Sequence, residues 1–229
     1  MSTPGISLII PVYNASRYLR EAIDSVINQT VKPRQLIIVD DGSTDDSLQI
    51  ARSYGPALTL IAQANGGTAA ARNRGLAEAE QPLIAFLDQD DRFLPDKFQR
   101  QLECLAEHPE AMLCLCRARA FWSPEVPESA RGVAHLGPRY RPGQPSTWLA
   151  RREVFGSVGG FSEQPECHFI EGSELYLRIE HSGCTVVRTD DVLLERRLSL
   201  SNKTADSKGH LDGILTLMKR RLELRRSLA

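Results

Sequence analysis

The chain lacks an excess of charge of either sign, metal-ligand cysteine spacing and long apolar runs. Its 28 Lys+Arg nearly balance 29 Asp+Glu, for a formal net charge of -1 over 229 residues. A general nucleic-acid binder needs a basic excess that is missing here, so no nucleic-acid partner is expected. The five cysteines contain no C-x-x-C pair. Cys114 and Cys116 would share one face of a strand, where core filler is commoner than a zinc site. All five read as reduced thiols, and the chain as cytoplasmic. No basic and apolar segment opens the sequence, and no apolar run approaches membrane-spanning length. There is no internal repeat and no clear linker, so one domain over 1–229 is expected.

What is present is an apolar content of 41%, enough for one large α/β core. The most informative stretch is Pro82–Asp91, P-L-I-A-F-L-D-Q-D-D. Leu83 to Leu87 is an unbroken apolar run, the pattern of a strand buried on both faces. It ends in Asp88, Asp90 and Asp91. Carboxylates this close repel one another and need solvent, cations or a metal. The D-x-D spacing suits a divalent cation with open positions for a phosphate. An acidic loop at a polar strand end is the structural alternative.

Earlier in the chain the same pattern recurs. Ile6–Pro11 is an apolar strand leaving into Val12, Tyr13 and Asn14, and Tyr18–Asn28 has helical spacing. Leu36–Val39 ends in Asp40-Asp41-Gly42-Ser43. Ser43 with Asp46 has the form of a capping box, predicting a helix from there to about Tyr54. Leu58–Ala62 is a third strand, Asn65-Gly66-Gly67 a turn, and Thr68–Ala79 an alanine-rich helix carrying Arg72. Alternating strands and helices predict a mostly parallel sheet flanked by helices. Ligands bind such sheets outside the carboxyl ends of the strands, where these polar clusters fall.

After Asp91 the regularity fades. Asp96–Glu107 predicts a helix and Ala111–Ala120 a strand. Ser123 to Pro145, rich in proline and glycine, predicts a long loop. Thr147–Ala150 reads as a strand, Arg152–Ser157 as a short helix and Glu171–Ser182 as a longer one. Thr185–Val187 and Val192–Leu194 read as two strands. Leu211–Leu228 reads as a basic amphipathic helix. Its Lys219, Arg220, Arg221, Arg225 and Arg226 fit a solvated face, or contact with an anionic membrane surface or a partner protein.

Taken together, the ordered clusters resemble the family 2 glycosyltransferases with the GT-A fold, a Rossmann-like α/β architecture. The matching stretches are Ile9–Asn14, Ile38–Asp45, Asn65–Gly67 with Ala71–Gly75, and Phe86–Asp91. Weaker matches follow at Arg151–Phe155, Gly159–Phe161 and Glu171–Arg178. The resemblance implies a sugar transferred from a nucleotide-sugar donor, commonly a UDP-sugar, with inversion and with Mn²⁺ or Mg²⁺. It implies a nucleotide-binding set of Pro11, Val12, Tyr13, Asn14, Asp40, Gly67, Arg72 and Asp88, with Asp90 as metal ligand. It divides the chain into a nucleotide-sugar half (1–120), an acceptor side (121–205) and the basic helix (206–229). The acceptor stays open among a glycan, a lipid-linked glycan, a peptide or a small molecule. A nucleotidyltransferase is disfavoured, because its glycine- and lysine-rich loop after the first strand is absent.

Two positions depart from the family pattern. The helix that usually opens E-D-x-[DE]-L-x-x-R here reads Glu171-Gly172-Ser173-Glu174-Leu175-Tyr176-Leu177-Arg178. Glycine cannot accept a proton, so Glu171 or Glu174 is the candidate base. Glu174 also fits as an ordinary first-turn acid. Where relatives carry a histidine after the last strand, this chain has Ser199; His168 and His210 do not fit that pattern. A nucleotide-sugar binder with lost transfer activity is therefore the alternative function.

Overall fold

The computed structural model describes residues 4–131, 136–199, 213 and 215–222. Its first half runs β1 (Ile6–Val12), α1 (Leu19–Ile27), β2 (Gln35–Asp40), α2 (Ser47–Arg52), β3 (Thr59–Ala62), α3 (Gly67–Glu78) and β4 (Leu83–Phe86). The second half runs β5 (Arg92–Phe93), α4 (Lys97–Glu107), β6 (Ala111–Trp122), β7 (Arg139–Tyr140) and β8 (Trp148–Arg151). It continues with α5 (Glu153–Val158), α6 (Glu171–His181) and β9 (Thr185–Leu198). The strands form one sheet in the order β3-β2-β1-β4-β8-β6-β9-β5, with β7 on β6.

Strands β3, β2, β1 and β4 are mutually parallel, as strand–helix alternation requires. β8 then joins β4 antiparallel, so the sheet is mixed beyond the first half. The register aligns the strand exits. Val12 is level with Asp40, and Ile9 with Phe86, which brings Asp88 level with Pro11. Side chains alternate between two apolar layers. Leu8, Ile10, Ile38 and Ala85 pack under α1, α2 and α4. Ile9, Ile37, Val39 and Phe86 pack under α3, α5 and α6, around an aromatic group with Trp148 and Phe161. Burial on both faces is why β1, β2 and β4 read as nearly continuous apolar runs.

Helix α3 lies close on β1. A Cβ at Gly75 would stand 3.1 Å from Ile9 Cγ1 and closer still to Cγ2. Gly75→Ala is expected to destabilise the fold by about 1–3 kcal/mol despite alanine's better helix propensity. A lower denaturation midpoint with an unchanged slope would show it; an unchanged midpoint would mean the helix has room to lift.

Several expectations need correction. The Ser43–Asp46 capping box does not form, and α2 begins only at Ser47 with no side-chain cap. The two strands expected within 185–194 are one strand, β9, paired with β6. Its pairing jumps from Arg188 to Val192, opposite Leu115 and Arg117, so the residues between bulge out. The long loop after β6 contains β7 and a short 3-10 turn at Glu128–Ala130. Of the basic C-terminal helix, residues 215–222 are helical; His210, Arg225 and Arg226 lie outside the described residues. All five cysteines are free thiols. Among the described residues no helix is long and apolar enough to cross a membrane.

Candidate active site

The exits of β1, β2 and β4 and the starts of α3 and α6 meet at one end of the sheet. Asp40 closes β2 and is 3% exposed. Its Oδ2 accepts a hydrogen bond from the Ser43 amide at 3.3 Å, while its Oδ1 is buried with no partner. A buried carboxylate oxygen left unpaired is costly, and a ligand N–H would satisfy it. Asp41 does something different. Its carboxylate accepts from the amides of Gly66 (2.9 Å) and Gly67 (2.8 Å) and from Gln63 Nε2. It therefore caps the start of α3 and fixes the Asn65–Gly67 turn, where Gly67 has φ +88°.

Asn14, at φ 49°, turns the chain out of β1. Its amide donates to Ser43 Oγ and its Oδ1 accepts from the Thr44 amide. Ser43 is thus used across loops rather than as a helix cap. The backbone of Tyr13 pairs twice with the Gln89 side chain, its amide donating at 2.7 Å and its carbonyl accepting at 3.1 Å. That pairing locks the exit of β1 to the D-x-D loop and leaves the Tyr13 ring 44% exposed, free to stack on a flat ligand.

Arg72 links the two sides of the site. It is 4% exposed, so it is not a surface ion-pair residue. Its Nη2 donates to Asp88 Oδ1 at 2.7 Å and its Nη1 to Glu171 Oε1 at 3.1 Å. Phe161 supports it from one side, with the guanidinium carbon 5.2 Å from the ring centre. Burial alone would lower its pKa, but Asp88 and Glu171 outweigh burial and raise it. Glu171 is therefore held next to the D-x-D loop. Glu174 is not: it is buried, and it pairs with Arg178 and Arg220.

The acidic loop itself is anchored from behind. The Asp88 amide donates to Ser146 Oγ. Arg197, on β9, donates through Nε to the Asp90 carbonyl and through its amide to Asp91 Oδ1, both at 2.9 Å. Arg197 is 4% exposed and also pairs with Glu21. Asp91 Oδ2 accepts from Gln144 Nε2, so Asp91 is structural. Burial first, and Asp88 second, push the Asp90 carboxyl up to about 6. Burial and the neighbouring Asp90 and Asp88 hold Asp91 well above the carboxylate range. A cation at Asp90 would relieve this crowding. No three His, Cys, Asp or Glu residues converge as a metal cage among the described residues. Any cation here would take most of its oxygens from substrate and water, as Mg²⁺ commonly does. The residues present fit that arrangement.

No motif in the sequence singles out Arg197, Ser146 or Gln144. The family pattern draws attention to a histidine after the last strand, whereas the residue that grips the acidic loop is an arginine inside that strand. Gly172 is filled over. A Cβ there would overlap the Gly143 carbonyl oxygen and stand 2.8 Å from Pro145 Cδ.

Residues 7–173 match the family model described as Glycosyl transferase family 2. The chain is 41% identical over 103 residues to an uncharacterized glycosyltransferase of Rickettsia prowazekii, covering 45% of this chain and 32% of that protein. It is 38% identical over 117 residues to the putative glycosyltransferase EpsH of Bacillus subtilis, covering 50% and 34%. These matches thus span about a third of those relatives' length. Staphylococcus aureus TarS 1-349, solved with UDP-GlcNAc, superposes with TM-score 0.71 at 22% identity, covering 88% of this chain and 61% of that one. The mannosyltransferase PcManGT of Pyrobaculum calidifontis, solved with GDP-Man and Mn²⁺, superposes at 0.74 and 20%, covering 97% and 65%. The family match over 7–173 and these shared architectures give one conclusion: the chain belongs to glycosyl transferase family 2 and has the GT-A fold.

Proposed function

We propose that this chain transfers a sugar from a nucleotide-sugar donor, most simply a UDP-sugar, to an acceptor hydroxyl with inversion. The observation that carries this reading is Arg72, which ties Asp88 of the D-x-D loop to Glu171 at the start of α6. Donor-side and acceptor-side carboxylates are thereby held by one buried cation. The nucleotide sugars in the two structural neighbours support the donor class.

In this reading Asp40 Oδ1 accepts from the base N–H, and the Tyr13 ring stacks on the base. Asp88 lies near the ribose, held in place by Arg72. Asp90 would hold Mn²⁺ or Mg²⁺, which when bound offsets negative charge on the departing diphosphate as a Lewis acid. The acceptor hydroxyl oxygen attacks the anomeric carbon from the face opposite the leaving group. Its proton passes to Glu171, the bond from the anomeric carbon to the diphosphate oxygen breaks, and the nucleoside diphosphate leaves.

A second reading, a nucleotide-sugar binder without transfer, is favoured by one observation. The position where relatives place a base is Gly172, and Gly143 and Pro145 occupy the space a side chain would need.

A thermal-shift screen of nucleotide-sugars, with and without Mn²⁺, tests donor recognition for both readings. Asp40→Ala is expected to weaken UDP binding about tenfold or more, the scale of one hydrogen bond to a charged group. Its fold should survive, since only the Ser43 contact is lost from the protein side. UDP affinity equal to the parent's would remove Asp40 from the pocket.

A further inference from the structure

The two buried arginines that frame the acidic loop have anionic partners. Arg72 has Asp88 and Glu171, and Arg197 has Glu21. Arg141, directly after β7, breaks the pattern. Its Nε is buried without a partner, as Arg72 Nε also is, but among the described residues the rest of its guanidinium makes no hydrogen bond and no ion pair either. Its charged surroundings are mostly unfavourable. Arg196 and Arg139 repel it, and Asp91 alone offsets them. Asp91 is already occupied by the Arg197 amide and Gln144. Burial first, then the two arginines, pull the Arg141 pKa down to about 10. Arg141 as a whole is half-buried, and a guanidinium with a desolvated donor usually has a carboxylate or phosphate across its fork.

The position of Arg141 narrows what that anion is. The segment that carries it places the Gly143 carbonyl against Gly172 at the start of α6 and sends Gln144 to Asp91. Arg141 therefore stands between the acidic loop and the helix that opens on the acceptor side. On the transferase reading, the donor diphosphate already has the cation at Asp90.

We propose that Arg141, with Arg139 and Arg196 adding positive potential, forms an anion subsite for a phosphate or carboxylate carried by the acceptor. The acceptor class is then an anionic glycan or a phosphorylated small molecule or polymer, not a neutral sugar end. This inference rests on the transferase reading for its assignment to the acceptor. The same phosphate chemistry could instead come from the donor diphosphate.

The test follows the Arg141 Nε–Hε cross-peak by NMR, assigned by its loss in Arg141→Gln and in Arg141→Lys. Glycerol 3-phosphate is titrated into free protein and into protein saturated with UDP and Mn²⁺, with glycerol as the neutral control. The expected result is a saturable shift with glycerol 3-phosphate, but not glycerol, that persists with UDP bound. Arg141→Gln should weaken glycerol 3-phosphate about tenfold or more while leaving UDP affinity within about twofold. If UDP alone moves the peak and glycerol 3-phosphate adds nothing, Arg141 serves the diphosphate and the proposal is overturned. It is overturned equally if neither ligand moves the peak. Failure of the parent to bind UDP would show separately, in calorimetry, and would count against the donor reading rather than against a shift measured on free protein.

Discussion

Asp90→Ala is expected to abolish the gain in UDP affinity that Mn²⁺ or Mg²⁺ gives the parent protein. The parent gain should be at least about tenfold, or about 1.4 kcal/mol, because a cation held by Asp90 would offset the negative charge of the diphosphate. The loop should stay in place without the Asp90 side chain. Arg197 Nε holds the Asp90 backbone carbonyl, and Arg197 N–H and Gln144 hold Asp91, so the anchors survive the substitution. Asp91→Ala is the contrasting change: it removes both of those contacts and should lower the melting temperature. Calorimetry of UDP with and without Mn²⁺, on parent and Asp90→Ala, separates the two effects. Equal UDP affinity with and without metal in the parent would rule out a metal site at Asp90. A nucleotide other than UDP giving the metal-dependent gain would change the donor but keep Asp90 in its role.

How far the sequence can be read depends on how each side chain is satisfied. β1, β2 and β4 are legible because burial on both faces makes their residues almost uniformly apolar, as in Leu83–Phe86, whereas β3 is a partly exposed edge strand. Their exits are legible because no core can hold Asp40, Asp88 or Asp90 without a partner. The second half is less so. β5 and β7 are two residues each, too short for any periodicity. β9 reads as two strands because its bulge carries Thr189, Asp190 and Asp191, which have the composition of a loop. Ser43 misleads for a different reason. Its hydroxyl serves a neighbouring loop through the Asn14 amide, and a local motif gives no sign of a partner 29 positions away. Asp41 likewise caps α3 rather than the helix that follows it in sequence. The roles of Arg72 and Arg197 depend on carboxylates distant in the chain. Arg72 stands out in the sequence only through family resemblance, and nothing marks Arg197.

The largest effect on turnover is expected from Glu171→Gln. The substituted side chain keeps an amide oxygen where Arg72 Nη1 donates, so the contact at 3.1 Å and the shape of the site should persist. What it loses is a group able to take the acceptor proton, a loss usually worth about a hundredfold or more. With no acceptor in hand, transfer to water can be read as release of UDP from a UDP-sugar, and donor affinity can be measured beside it. The expected outcome is unchanged affinity and a rate at least about a hundredfold lower. Glu174→Gln is a poor control for chemistry, because Glu174 pairs with Arg178 and Arg220 and its loss would disturb the packing of α6. Gly172→Asp at first looks like a simple restoration of the family's base. The structure argues otherwise, because the new side chain would collide with Gly143 and Pro145. It is expected to cost about 1–3 kcal/mol of stability and to raise no activity unless the 143–145 segment yields. A parent that turns over donor while Glu171→Gln is just as fast would remove Glu171 as the base. A parent that binds UDP-sugar, releases no UDP, and gains turnover in Gly172→Asp would establish the binder, and would show that the segment over Gly172 moves aside.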